Sequence, residues 1–356
     1  MIKLVHYIDN LGIGGGQSAL FELYLGLKTY FGNKVDQEVW TASHLKLRNY
    51  SGYEREYYRN AVKMDRVLSP EACSEVDIII IHALFSTDIE GMTIGLECPI
   101  IILNHTYPGI RTIRGQYDVI VAVSRHMGKE LLLWNAGKRV VLIRNGINGF
   151  RKTHTRHRRH TVEGRKEPCL LTGRINRIAS GKHPDDWFKD LDFKLPLHHI
   201  HQYIGGDSKE KDINRMRKRL LKKHHPEHYE VDIVGNISFF QKKMSWIKRW
   251  DLMVYGIPKP EGISMGILEA LSLGVPVLCN DVPANSEIIV NGVNGYVWHN
   301  FRELRYLLDK LCRCPSRLDL LSETTLEHFK GNLDASYTAA KYFKLITELI
   351  NSRSKK

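Results

Sequence analysis

Two carboxylates eight residues apart, Glu261 and Glu269, are the groups in this chain best spaced to do chemistry. The stretch from Glu261 to Pro276 reads Glu-Gly-Ile-Ser-Met-Gly-Ile-Leu-Glu-Ala-Leu-Ser-Leu-Gly-Val-Pro. It predicts a glycine turn leading into a helix that Gly274 and Pro276 end. A helix that opens through Gly262, Ser264 and Gly266 offers free backbone N–H groups at the positive end of its dipole, which suits a phosphate or diphosphate. Glu269, just under one turn further in, is then placed to accept hydrogen bonds from ribose hydroxyls. Glycine-flanked turns are common in α/β chains, so this stretch alone leaves a purely structural reading open.

Two histidines come next. Asp77-Ile-Ile-Ile-Ile-His82 and Pro99-Ile-Ile-Ile-Leu-Asn-His105 are continuous apolar runs, as expected of parallel strands buried on both faces. Ligands of open α/β sheets gather at the carboxyl ends of strands, where both histidines fall. His82 reads first as a satisfied strand-end residue. His105, in an Asn-His-Thr-Tyr-Pro-Gly loop, stands evenly between structure and function.

The elements that must position these residues form two similar halves. Lys3–Ile8 predicts a first strand, Leu11–Gly16 a flexible glycine turn, and Ser18–Leu27 an amphipathic helix. Strands at Lys34–Trp40, Asp118–Ser124 and Val140–Ile143, with a helix at Arg125–Trp134, complete a Rossmann-like domain over 1–150. Gly14, Gly15 and Gly16 do not follow the dinucleotide fingerprint, so NAD binding is weakly supported. The second half starts at Pro168, with strands at Cys169–Thr172, His199–Ile204, Val231–Val234, Leu252–Val254 and Val277–Cys279. Helices are expected at Lys211–His225, Phe239–Trp250, Phe301–Leu311 and Ala335–Asn351. The expected domains are 1–150, a basic linker at 151–167, a second domain at 168–335, and a helix at 336–356 that packs back on the first.

Composition narrows the class. A chain of 356 residues with 43% apolar and 26% charged residues suits a globular protein of two domains. No run approaches the roughly 18 apolar residues of a membrane span, and the start MIKLVHYID lacks a signal-peptide profile. A cytoplasmic protein with reduced core cysteines is expected. The net charge of +13 is concentrated: residues 151–250 hold 24 Lys and Arg against 12 Asp and Glu. That band is a solvated surface, an attachment to the inner face of an anionic membrane, or a nucleic-acid surface.

Taken in order, several motifs resemble the GT-B fold retaining glycosyltransferases of the GT4 type, the glycosyl transferases group 1. They are Gly14-Gly15-Gly16, Ser124 after its strand, Arg144-Asn145-Gly146-Ile147, Gly173-Arg174 with Lys182, Glu261…Glu269 with Gly274-Val-Pro-Val277, and Glu287 through Asn294-Gly295. The resemblance spans roughly residues 1–310. It implies two Rossmann-like domains facing each other across a donor and acceptor cleft. It implies catalytic roles for Arg174 and Lys182, which would neutralise the diphosphate leaving group, with Arg177 the alternative to Lys182. Glu261 would lie against the donor sugar and His105 would reach the sugar or its phosphate. Gly15, Gly16, Gly262, Ser264, Met265, Gly266 and Ile267 would line the donor site, Glu269 would hold the ribose, and Ile237 would pack on the base.

By the same resemblance the donor is a nucleotide sugar, UDP-linked by preference with GDP- and ADP-sugars as alternatives. No metal is expected, and Asp190-Leu-Asp192 reads as chance surface charge. Transfer would retain the anomeric configuration and move a hexose-type sugar to a glycan or glycolipid acceptor of the cell envelope. Two other readings stay open. One is a virus-type enzyme in the host cytoplasm that glycosylates modified DNA bases through the basic band. The other is a basic nucleic-acid-binding α/β protein that is no enzyme.

Overall fold

The computed structural model describes residues 1–9, 11, 15–42, 60–83, 89–105, 113–149, 169–175, 199–205, 211, 213–214, 218, 229–235, 240–258 and 260–354. They separate into two compact units. One comprises Met1–Asn148, Glu261–Met265 and Leu333–Lys356; the other comprises Gly149–Pro260 and Gly266–Asn332. The sequence places the second boundary at 335, whereas the divide lies at 332. The expected basic linker and most of the expected helix Lys211–His225 lie outside the described residues.

Unit 1 is built on β1 (Ile2–Tyr7), α1 (Gly15–Phe31), β2 (Val35–Thr41), β3 (Val62–Met64), β4 (Ile78–Ala83), α2 (Ile89–Thr93), β5 (Ile100–Asn104), β6 (Val119–Ala122), α3 (Arg125–Trp134) and β7 (Val140–Leu142). All its strand pairs are parallel, in the order β3-β2-β1-β4-β5-β6-β7. Strand order reverses between β1 and β4, the switch point at which such sheets bind ligands. Ile78 to Ile81 and Ile100 to Leu103 are fully buried, which explains their unbroken apolar sequence. Gly15 and Gly16 form the first turn of α1 and not the flexible turn expected of them. Glycine's helix penalty is small at an end, where backbone groups lack helical partners in any case. Ser124 caps α3, accepting from the Met127 N–H at 3.1 Å.

The last helix, α8 (Ala335–Arg353), belongs to this unit, and the Arg144–Ile147 motif is its dock. Ala335 N–H donates to the Ile147 carbonyl, Ile147 N–H donates to the Leu333 carbonyl, and the Thr338 hydroxyl donates to the Arg144 carbonyl. A Cβ on Gly146 would lie 2.6 Å from Thr338 Oγ1 and 2.9 Å from Ala335 Cα, so only glycine lets the helix approach. Ala339, Tyr342, Leu345, Ile346 and Leu349 then join the core of this unit.

Unit 2 holds β8 (Cys169–Ile175), β9 (His199–Gly205), β10 (Tyr229–Gly235), α4 (Phe240–Ile247), β11 (Leu252–Tyr255), α5 (Met265–Ser272), β12 (Val277–Asn280), β13 (Gly295–Trp298), α6 (Phe301–Arg313) and α7 (Pro315–Asn332). Its parallel sheet runs β10-β9-β8-β11-β12-β13, the same winding with its switch between β8 and β11. Helix α5 ends in a Schellman turn, with Val275 N–H on the Ala270 carbonyl and Gly274 at φ 70°.

Gly173 lies inside β8, paired with Met253, and the buried Trp250 ring fills the space where its side chain would be. A Cβ there would come within 1.9 Å of the ring carbons. Gly173→Ala is therefore expected to cost about 3 kcal/mol or more, read as a lowered melting temperature and denaturation midpoint. An unchanged midpoint would mean that the ring has room to move.

Candidate functional site

Unit 2 places its candidates around α5 and the carboxyl ends of β8 and β11. Met265, Gly266 and Ile267 open α5, so their N–H groups lie in the turn that has no helical acceptor. Glu269 follows within the helix, 1% exposed. Lys243 on α4 reaches its Oε1 at 2.5 Å, while Oε2 is buried with no hydrogen-bond partner among the described residues. Burial raises the Glu269 pKa above the ordinary carboxylate value, with Lys243 pulling the other way. A buried carboxylate oxygen without a donor costs on the order of 1–3 kcal/mol, so this one is suited to a hydroxyl-bearing ligand. Lys243 escaped the sequence reading; its only signal was a lysine in the amphipathic stretch of α4.

Arg174 lies within β8, one residue beyond Gly173, and its side chain is fully buried. Its Nη2 donates to the Gly256 carbonyl, and the guanidinium carbon sits 5.3 Å over the Tyr255 ring. The sequence ends this strand at Thr172; it extends three residues further and takes Arg174 inside. The loop after β11 is clamped by Asn280, whose side chain donates to the Ile257 carbonyl at 2.7 Å and accepts from the Ile257 N–H at 3.1 Å. Asn280 thereby fixes the backbone that leads to Glu261. Lys182 and Ile237 lie outside the described residues.

Unit 1 holds the other candidates, Glu261 among them, half-buried. Gly262 packs against His105: a Cβ there would lie 3.3 Å from the His105 carbonyl oxygen. One on Gly15 would lie 4.0 Å from Met265 Cγ. His105 does not stand alone. Its Nε2 is 2.9 Å from His82 Nδ1, and His82 Nε2 is 3.1 Å from His6 Nδ1. His6 Nε2 is 3.1 Å from Gln37 Oε1, and the Gln37 amide nitrogen donates to the Tyr24 carbonyl at 3.3 Å. Burial pushes the His6 and His105 pKa values down to about 4 and that of His82 well below the usual value, with its histidine neighbours adding to the fall. All three are therefore neutral at pH 7. His6 and Gln37 were not legible as site residues.

Among the described residues, no group of three His, Cys, Asp or Glu side chains could hold a metal, and no helix is long and apolar enough to cross a membrane. Cys73, Cys98, Cys279, Cys312 and Cys314 are free thiols, and burial pushes Cys279 up to about 12.

The family model for glycosyl transferases group 1 matches residues 185–314. Over that stretch the chain is similar to the group 1 glycosyltransferases. The matched stretch includes Lys243, Glu261 and Glu269 and excludes Arg174 and the histidines of unit 1. Solved structures extend the likeness to the whole chain. HepE from Anabaena, in complex with UDP, superposes with a TM-score of 0.74 at 13% identity, covering 98% of this chain and 100% of that one. A glycosyltransferase from Rickettsia africae ESF-5 gives 0.72 at 14%, covering 98% and 99%. The lipopolysaccharide outer core galactosyltransferase WaaB in its apo form gives 0.62 at 14%, covering 99% and 100%. The fold is GT-B, with two Rossmann-like domains.

Proposed function

We propose that the chain is a group 1 glycosyltransferase that takes a hexose-type sugar from a UDP-sugar and joins it, with retention, to an acceptor hydroxyl of a cell-envelope glycan. The observation that carries the donor half is the buried Glu269 Oε2 behind the first turn of α5. Two ribose hydroxyls would satisfy it, and the open N–H groups of that turn suit the diphosphate. HepE, seen with UDP and with UDP-glucose, supports uracil as the base. WaaB, by its name a lipopolysaccharide enzyme, supports an envelope acceptor.

In this reading the bond between the anomeric carbon and the diphosphate oxygen breaks while the acceptor oxygen bonds to the same face. The departing phosphate oxygen takes the acceptor's proton, and Arg174 and Lys182 stabilise the charge that develops. Glu261 and His105 orient the sugar, and Gly15 and Gly16 border it. Transfer needs no metal, so activity is expected to survive chelation. The enzyme works in the cytoplasm, with the basic band of 151–250 holding it to anionic lipid.

UDP at a hundredfold excess over its Kd is expected to stabilise the protein by about 2.7 kcal/mol, read as a thermal shift that GDP and ADP do not match. Glu269→Ala should remove that shift. A shift that persists in the variant would sink the ribose assignment. Product NMR showing an inverted anomeric centre would sink retention.

A further inference from the structure

The file of side chains from Gln37 to His105 runs diagonally across one face of the unit 1 sheet. Gln37 pairs with Leu4, and His6 lies two residues beyond Leu4; His6 pairs with Ile80, and His82 lies two beyond that. His82 in turn pairs with Leu103, two residues before His105. Each step crosses to the next strand and advances by two, which keeps all four side chains on the same face. The file ends at the carboxyl end of β5, where His105 is half-buried and Gly262 packs against its carbonyl.

The file has a direction. A neutral imidazole carries one N–H donor and one lone pair. The Gln37 amide nitrogen faces the Tyr24 carbonyl, so its oxygen faces His6 and requires the proton on His6 Nε2. His6 Nδ1 is then a lone pair that takes the N–H of His82 Nε2. His82 Nδ1 likewise takes the N–H of His105 Nε2. His105 Nδ1 is left as a lone pair with no partner among the described residues. Reversing the file would set a lone pair of His6 against the Gln37 oxygen, a mismatch that disfavours the opposite order. The file ends in an amide, which takes no proton, so it orients its members and does not export charge.

We propose that Gln37, His6 and His82 are positioning residues that lock His105 as the Nε2–H tautomer, making Nδ1 a fixed acceptor for a hydroxyl of the donor sugar. The ligand in this statement rests on the glycosyltransferase reading, whereas the tautomer does not. A hydroxyl hydrogen is welcomed at that position and an acceptor atom is rejected.

Long-range nitrogen–proton correlation on the ¹⁵N-labelled full chain, without ligand at pH 7.5, reads the tautomers directly. His6, His82 and His105 are each expected to show a protonated Nε2 and a bare Nδ1. In Gln37→Leu, His105 should shift toward a protonated Nδ1. In Gln37→Glu, whose carboxylate still accepts from His6, it should keep the parent tautomer. With the UDP-sugar, Gln37→Leu should raise the donor KM about tenfold while leaving affinity for free UDP unchanged. A protonated Nδ1 in the parent, or a parent tautomer in folded Gln37→Leu, overturns the lock. A shifted tautomer with an unchanged KM overturns the role of Nδ1. A chain with the expected tautomers that binds no nucleotide sugar refutes the glycosyltransferase reading and leaves the lock standing.

Discussion

Arg174→Ala is expected to lower kcat by about two to three orders of magnitude, the usual loss when one preorganised group facing a developing charge is removed. The guanidinium is held by the Gly256 carbonyl and the Tyr255 ring at the switch point of the second sheet. A cation kept away from water there acts across a medium of low dielectric, so under the proposed function it would influence a phosphate at the strand ends without being exposed. The same substitution leaves a void and so lowers stability as well. Arg174→Lys separates the two effects. It keeps the charge but loses the planar fork that meets both the carbonyl and the ring, so an intermediate kcat is expected. Single-turnover rates normalised to folded protein make the measurement. A melting temperature that falls while the normalised rate stays at the parent level would make Arg174 a structural residue only.

Acidification is expected to unfold unit 1 before unit 2. His6 and His105 titrate at about 4 in the folded chain against the ordinary histidine value of 6.5, and His82 lies lower still. Between those limits the unfolded chain binds more protons than the folded one, so stability rises with pH there. The full contribution is present above pH 6.5 and is lost as pH falls toward 4. At pH 5 each histidine withdraws on the order of 2 kcal/mol, and three together approach the whole stability of an ordinary domain. Glu269 in unit 2 has the opposite sign. Its folded pKa is raised, so its contribution is present below 4.5 and is lost as pH rises through the raised value. Hydrogen exchange at pH 5.5, corrected for intrinsic rates, should show β1, β4 and β5 losing protection before β11 and β12. Equal loss in both units, or stability constant between pH 7 and 5, would contradict the assignment.

The long parallel strands were legible because burial on both faces leaves an unbroken apolar signature, as in Ile78–Ile81 and Ile100–Leu103. β3 was not, since three residues of Val-Lys-Met carry no period. α7 escaped because Ser322 and Thr325 are buried among its leucines, and polar residues on the inner face blur the helical stripe. Glu269 could be picked out by its distance from a helix start, a local property. Lys243 and Gln37 could not, because their partners lie 26 and 31 residues away and depend on packing and register. Gly146 looked like part of a motif, yet its reason is a helix almost two hundred residues later in the chain.

That last contact sets an order of events during synthesis. The strands of unit 1 leave the ribosome well before α8, which contributes to their core. About 200 residues separate Asn148 from the end of α8, roughly 10 to 40 s of elongation at ordinary rates. During that interval the core of unit 1 lacks Tyr342, Leu345 and Ile346, so the nascent chain carries a sticky surface that only α8 can close. Unit 1, begun before unit 2, is thus completed only after unit 2 has been made.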